Sequence, residues 1–486
     1  VGCMQHLIGE LTKIIEGSVS TDPQTLKTHS RDASIYELMP DAVIAPKSSS
    51  DIQKIVRFVS KNKESYPNLA ITPRAAGTDM SGASIGKSLV LDMTKHFNEI
   101  GKTKGSTLKV QPGAYVRDID PILEASDLML GSAPASRAIC TIGGMVGNNS
   151  GGEQSLRFGN TERWVREMKV VLADGKEYVF KPIDKYELQR KIKQDTYEGN
   201  LYKQVYQLIE SNYDAIKNAR PKVNKNSMGY NLWDVWDRGT GIFDMTRLFS
   251  GSQGTLGIIT DLTIEAVPKP PHTGLLLAYL PSLSKLGDVT QTVLKHKPST
   301  FEGFDDITFN LGIRYFSTFK KQLGTKEWLR QQARLLGSVA KFKGHLPNIL
   351  LMIEFEGSSK EEVYKKIDRL HDDLKKFRIR MDIEGDEESS APFWQIRRAA
   401  LGLLRNQVKN NYASPFIDDM TVQTRYVPEF IPKLRRVIRK YKLPATVQGH
   451  FGDGNFHIIP LMNIASKKDQ AKLEPVMREL TLIVLK

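Results

Sequence analysis

Apolar positions along this chain switch between two spacings, and the switches predict its elements. After Ser49 and Ser50, either of which can cap a helix, Ile52, Ile55, Val56 and Val59 recur at one-face helical spacing. Val165–Leu172 and Lys176–Phe180 read as strands, with Asp174-Gly175 as the hairpin turn between them. Ile183 to Asn226 is charged and helical, with Leu201, Val205, Leu208 and Ile209 as its stripe. Pro268-Lys-Pro-Pro271 is a stiff break and marks the domain boundary. Beyond it, Leu275–Leu280 predicts a strand followed by a helix to about Leu294. Asn348–Glu356 predicts another strand, and Ser359 opens a helix carrying Val363, Ile367 and Leu370. Two such strand–helix units predict a ferredoxin-like α+β domain.

The stretch Pro134–Gly152 fits neither spacing. Gly143, Gly144, Gly147, Gly151 and Gly152 are too dense for an ordinary helix or strand. Ile139, Ile142, Met145 and Val146 are too apolar for a solvated linker. Such a segment is either a tightly packed loop stack or a backbone surface for a large ligand. Pro73-Arg-Ala-Ala-Gly-Thr-Asp-Met-Ser-Gly82 is a second case, set between the apolar runs Leu69–Ile71 and Leu89–Met93. Ala75, Ala76 and Gly77 keep little side chain in a ligand's way, and Thr78, Asp79 and Ser81 can brace the loop. Free N–H groups in series there would form an anion nest suited to phosphate. Ser250–Thr260 is the third, leading into the alternating run Asp261–Val267. Three such loops suit a long ligand with phosphates in its middle. None is a GxGxxG sequence opening a helix, so a Rossmann site is not indicated.

His450 and His457 lie seven residues apart with Gly452 and Gly454 between them. Two imidazoles so spaced can converge on a divalent metal, usually with a carboxylate as third ligand. Equally, Asp453 and Asn455 can shape a turn whose histidines only make hydrogen bonds.

Composition narrows the picture. The 486 residues suggest two or three domains. No run of about 18 apolar residues occurs, so no spanning helix is expected, and Val1–His6 does not open a signal peptide. Cys3 and Cys140 are the only cysteines, too few for a disulfide framework or an iron–sulfur cluster within this segment. Cys140 reads as a packed residue. The net charge of +14 is scattered, which argues against nucleic acid and leaves attraction of anionic substrates or peripheral attachment to the inner face of a membrane. A cytoplasmic location is the default expectation.

The three loops resemble those of FAD-linked oxidases and dehydrogenases of the vanillyl-alcohol oxidase type, which carry a PCMH-type FAD-binding domain. The resemblance is strongest to the D-lactate dehydrogenase and glycolate oxidase flavoprotein branch. It also covers Gly449-His-Phe-Gly-Asp-Gly-Asn-Phe-His457 and runs from about Thr21 to the end. It implies an α+β chain: a two-subdomain FAD-binding domain over 1–268 with a helical insertion near 183–226, a ferredoxin-like cap (substrate) domain over 272–445, and a segment 446–486 returning to the flavin site.

The resemblance also implies site residues. Pro73, Arg74, Ala75, Ala76, Gly77, Thr78 and Asp79 would surround the pyrophosphate of FAD. Pro134, Thr141, Gly143, Gly144 and Asn148 would lie along the isoalloxazine and ribityl part. Gly254, Gly257 and Ile259 would touch the adenine half. No histidine stands in the first loop, so FAD is expected to be non-covalent. His450 and His457 become expected metal ligands for zinc, manganese or iron, and catalytic residues. Arg397, in a Trp-x-x-Arg segment, becomes the expected clamp on the substrate carboxylate, with Arg398 second. Phe416–Asp419 follows the lactate-type pattern, with Asp418 structural, and Trp164, Trp233 and Trp236 are left to packing. The family's Glu-His-Gly segment, which would add a carboxylate and a base, would lie past Lys486. With Val1 in first place, this predicts a fragment of a longer protein. The implied activity is oxidation of a D-2-hydroxy acid such as D-lactate or glycolate, with hydride passing to flavin N5 and electrons to an iron–sulfur partner or quinone. An electron-transfer or scaffold subunit without turnover is the alternative, and a role like that of alkyl-glycerone-phosphate synthases is a third.

Overall fold

The computed structural model describes residues 2–340, 342, 346–407 and 412–486. They form two compact units. The first comprises Val1–Gly152, Phe158–Pro221 and Ser227–Lys269, the second Glu153–Arg157, Lys222–Asn226 and Pro270–Lys486.

In the first unit, strands Ala42–Ala45, Leu89–Asp92 and Ile71–Arg74 run parallel, and Ser18–Ser20 closes the edge antiparallel. Helix Ser49–Asn62 packs Ile52, Ile55 and Val56 into the core beside this sheet. Its cap is Ser48, one residue before the two expected, because Ser48 is the residue whose side chain accepts from the Asp51 N–H. The Asp51 carboxylate is itself buried and accepts from the N–H groups of Glu16, Gly17 and Lys47.

A second, antiparallel sheet of the same unit has Ile258–Glu265 at its centre, between Thr107–Val110 and Val165–Val171. The expected hairpin joins Val165–Val171 to Glu177–Phe180, with Gly175 at φ +72° in the turn. Helices Lys185–Ile192, Tyr197–Ser211 and Tyr213–Ala219 form the insertion. Its stripe differs from the expected one. Leu208 is exposed, while Tyr202 and Ile209 are buried with Val205 and Tyr206 packed beside them. The aromatic positions 202 and 206 fit the same face at i, i+4, and rings pack against Phe180 and Phe243 there.

The second unit is built on an eight-stranded antiparallel sheet. His272–Leu280, Thr300–Asp305, Ile349–Gly357 and Arg380–Glu384, with helices Leu286–Lys295 and Lys360–Leu374, make the βαββαβ order of a ferredoxin-like half. Arg380–Glu384 and Ile349–Gly357 flank His272–Leu280, and Thr300–Asp305 lies beyond. The sheet then continues through Ala445–His450 and Asn455–Met462 to Tyr412–Ala413 and Asp418–Thr421. Residues 446–486 belong to this second unit. Their strands complete this sheet because Val447, Phe456 and Ile458 share one core with Ile353, Val363 and Leu434.

Candidate functional site

In the first unit the three glycine-rich loops meet. A Cβ on Gly144 would stand 3.3 Å from Ala75, and one on Gly254 would stand 2.3 Å from Pro73 Cγ. Gly254 also sits at φ +76°, so glycine is required there twice over. The third loop hangs on the second through Gly251 N–H to Val146 O and Gln253 N–H to Gly147 O, both 2.9 Å. The stretch Pro134–Gly152 does contain a helix after all, the six residues Ile142–Gly147. Its glycines serve close approach, since a Cβ on Gly143 would strike Pro112 at 2.5 Å. Ile142, Met145 and Val146 anchor it in the core.

Among the described residues, no protein acceptor takes the backbone N–H groups of Ala75, Ala76, Gly77 and Thr78. A run of such donors suits an anion. Among the described residues two buried hydroxyls of the second and third loops, Thr141 Oγ1 and Ser250 Oγ, also lack partners. Orphaned buried polar atoms are costly. Their gathering on converging loops fits a polar ligand such as FAD.

Other expected contacts find different uses. Arg74 is buried and donates to Ser84 O and Arg31 O, so it braces the loop from within. Asp79 accepts from Ser81 N, Ser81 Oγ and Ala83 N and folds the same loop. Gly257 packs against Val170, where a Cβ would come within 2.5 Å, and Ile259 lies half-buried on the next strand. Asn148 caps the short helix and donates to Ser150 Oγ, while Pro134 O accepts from Arg137 N–H. Burial pushes the Cys140 thiol up to about 11, which removes it as a nucleophile.

The second unit brings the two histidines together. His450 pairs across the hairpin with Asn455, and Gln448 with His457, so the imidazoles are diagonal neighbours on one face. Their ring centroids lie 5.3 Å apart, edge to face. The tight turn depends on Gly454, at φ +68° with Val422 O 2.1 Å from where a Cβ would be. A carboxylate meets each ring. Glu302 Oε1 lies 2.5 Å from His450 Nδ1, and Asp419 Oδ1 lies 3.1 Å from His457 Nδ1.

Each carboxylate has a further partner. Arg397 donates Nε to Glu302 Oε2 at 2.9 Å, and its Nη2 lies 2.7 Å from the same oxygen as an ion pair. Asn455 donates Nδ2 to Asp419 Oδ1 at 2.8 Å and to Thr421 Oγ1 at 2.9 Å, and accepts from Lys225 Nζ at 3.0 Å. Burial pushes the Glu302 carboxyl up to about 7, against the pull of Arg397. Burial, aided by the charges of Lys225 and Arg397, holds His450 well below its ordinary value and therefore neutral. Burial opposes ionisation of Asp419 too, but the charge and hydrogen bond of His457 prevail and hold it far below the usual range.

A carboxylate beside Nδ1 is the usual arrangement behind histidines that ligate a metal. Among the described residues no group of three His, Cys, Asp or Glu is arranged to hold one. The pair thus offers two ligands. Arg397, the expected clamp, is 3% exposed and pairs with Glu302, a carboxylate of the protein itself. Arg398 forks onto Glu153. Asp419, not its neighbour, meets His457, and the side chain of Asp418 lies outside the described residues. Glu302 had a faint signal, a charged residue inside the apolar run Thr300–Phe304. Lys225 had none.

Comparison with known proteins agrees with both halves. Residues 40–181 match the FAD binding domain family, and residues 269–486 match the C-terminal domain of FAD linked oxidases. A D-2-hydroxyglutarate dehydrogenase of Pantoea ananatis is 24% identical over 95% of this chain and 45% of its own length. Glycolate oxidase subunit GlcD of Bacillus subtilis is 26% identical over 92% of this chain and 78% of its own. A D-lactate dehydrogenase of Anaerostipes hadrus is 23% identical over 90% and 76%. The chain spans about half the length of the D-2-hydroxyglutarate dehydrogenases it matches first. Among solved structures, an alkyldihydroxyacetonephosphate synthase and a 4-ethylphenol oxidase from Gulosibacter chungangensis each share 16% identity over 99% of this chain, covering 80% and 87% of theirs, with TM-scores of 0.67. The fold is thus of the PCMH type. No helix among the described residues is long and apolar enough to cross a membrane.

Proposed function

We propose that this chain, an FAD-linked oxidase by both of its matched domains, oxidises a D-2-hydroxy acid to the 2-oxo acid with non-covalently bound FAD. The observation that carries the reading is the His450–His457 pair, one ring buried and one half-buried, each beside its own carboxylate. Relatives named for D-2-hydroxyglutarate, D-lactate and glycolate support the substrate class. The likeness to solved structures does not, since their titles name unlike reactions.

Bound to the glycine-rich loops, FAD supplies a hydride acceptor at N5. A divalent cation such as zinc, manganese or iron, if held by His450 and His457, would supply Lewis acidity for the substrate's hydroxyl and carboxylate. The residues of the chain hold and orient. The free N–H groups of Ala75 to Thr78 take the cofactor's pyrophosphate, and Thr141 and Ser250 offer it hydroxyl partners. Glu302 and Asp419 fix the imidazole tautomers, with Arg397 and Asn455 fixing the carboxylates in turn. Electrons then leave to an iron–sulfur partner or a quinone. A second reading, an FAD-binding electron-transfer subunit without turnover, draws on the likeness to a protein named as a glycolate oxidase subunit.

Steady-state turnover with a dye acceptor tests the proposal. FAD-loaded protein should reduce the dye with a D-2-hydroxy acid and not with its L-enantiomer, and His457→Ala should abolish this. Stoichiometric hydrogen peroxide without any added acceptor contradicts a dehydrogenase. Turnover unchanged in His457→Ala contradicts the role given to the pair.

A further inference from the structure

Lys225 is a buried cation whose charge no carboxylate among the described residues neutralises at contact distance. It reaches the second unit on the short segment Lys222–Asn226, far in sequence from the strands it joins. Asn224 Nδ2 holds that segment to Gly452 O at 3.4 Å, in the turn between the two histidines. Lys225 itself is 8% exposed. Its ammonium has three donors, and one goes to the neutral amide oxygen of Asn455 at 3.0 Å. Among the described residues no carboxylate lies within ion-pair distance of it. Glu302 pairs with Arg397 and His450, and Asp419 with His457 and Asn455. The positive charge nonetheless reaches His450, Glu302 and Asp419.

A buried ammonium with a single neutral partner is unfavourable on its own. It becomes favourable once an anion completes the pair. The other strong cations of the cluster each already face a carboxylate, Arg397 that of Glu302 and Arg398 that of Glu153. We infer that Lys225 is the residue that receives the carboxylate of the substrate beside the His450–His457 pair, the task the sequence assigned to Arg397. Asn455 aims the ammonium, because its Nδ2 is fixed by Asp419 and Thr421 and only its oxygen remains to accept. The inference rests on the hydroxy-acid reading of this site.

The experiment uses the FAD-loaded protein and compares a D-2-hydroxy acid with its uncharged primary amide. Anaerobic flavin bleaching gives the apparent affinity for the acid, and competition against it gives that for the amide. Lys225→Gln keeps a donor for Asn455 and removes the charge. It should weaken the acid about 10-fold or more and leave the amide within about 2-fold, since a charged hydrogen bond is lost and a neutral one is not. Equal weakening of acid and amide, or none, overturns the inference. Lys225→Arg is the second variant and keeps the charge. It should preserve the preference for acid over amide, and loss of that preference in a folded Lys225→Arg protein also overturns it. If no hydroxy acid bleaches the wild-type flavin, the hydroxy-acid reading itself has failed. Bleaching in the wild type with an unaffected Lys225→Gln isolates the failure to Lys225.

Discussion

The two units build their candidate sites from opposite materials. In the first, the surface offered to a ligand is backbone: N–H groups of Ala75 to Thr78 and loops that touch through Gly144 and Gly254. In the second it is side chain: two imidazoles, three carboxylates, two arginines and a lysine drawn from six separate stretches. A backbone site tolerates change in side chains but none in glycine. A side-chain site tolerates change around it but depends on every charge being matched.

The largest expected effect follows from that dependence. Glu302→Ala leaves the Arg397 guanidinium buried without its carboxylate, which should cost about 3–5 kcal/mol of stability. Urea unfolding measures it. Glu302→Gln should cost less, since a carbonyl oxygen can still accept from Arg397. Equal and small losses for both would mean the pair is not buried as described.

Gly254→Ala probes the other material. A methyl group there meets Pro73 Cγ at 2.3 Å on a backbone at φ +76°. Strain and overpacking together should cost about 2–3 kcal/mol and weaken FAD retention. A variant that melts and holds flavin like the wild type breaks the contact between first and third loops.

A smaller effect is pH-dependent. Asp305 caps helix Asp306–Arg314 and accepts from Thr308 and Val447 N–H groups, yet burial pushes its carboxyl up to about 6. The folded chain therefore keeps this proton at pH values where the unfolded chain has released it. Stability from this group is present below the unfolded value and is lost as pH rises through about 6. The slope is at most about 1 kcal/mol per pH unit over roughly pH 4–6. Asp305→Asn should flatten that slope while keeping the cap. A slope unchanged in the variant assigns it to another group.

The smallest effect separates the cofactor from the fold. Thr141→Val removes a buried hydroxyl that has no protein partner. Stability without FAD should stay equal or rise by less than about 1 kcal/mol, while flavin affinity falls several-fold. Flavin fluorescence released on dilution reads the second quantity. A loss of stability with no change in flavin affinity reverses the assignment.

Legibility from sequence divides along the same line. Glycines record where backbone must come close, and Gly144 and Gly254 mark loops that do touch in the first unit. Helix Ile142–Gly147 hid in the glycine density of its stretch because Gly143 answers to Pro112 and Gly144 to Ala75, not to helix propensity. The βαββαβ half of the second unit was readable from alternating apolar runs. Its side-chain site was readable only at His450 and His457. Glu302, Asp419 and Lys225 acquire their meaning from strand pairing and from a distant segment, which no local pattern encodes. Arg397 was found by motif, but its pairing with Glu302 was not, since motif spacing does not show that a carboxylate stands opposite.

An anaerobic spectrum of the FAD-loaded protein, titrated with D- and L-2-hydroxy acids, tests the central claim most directly. The account predicts a bound-flavin spectrum that a D-acid bleaches and its L-enantiomer does not. A protein that takes up no FAD, or a flavin that no hydroxy acid bleaches, contradicts it.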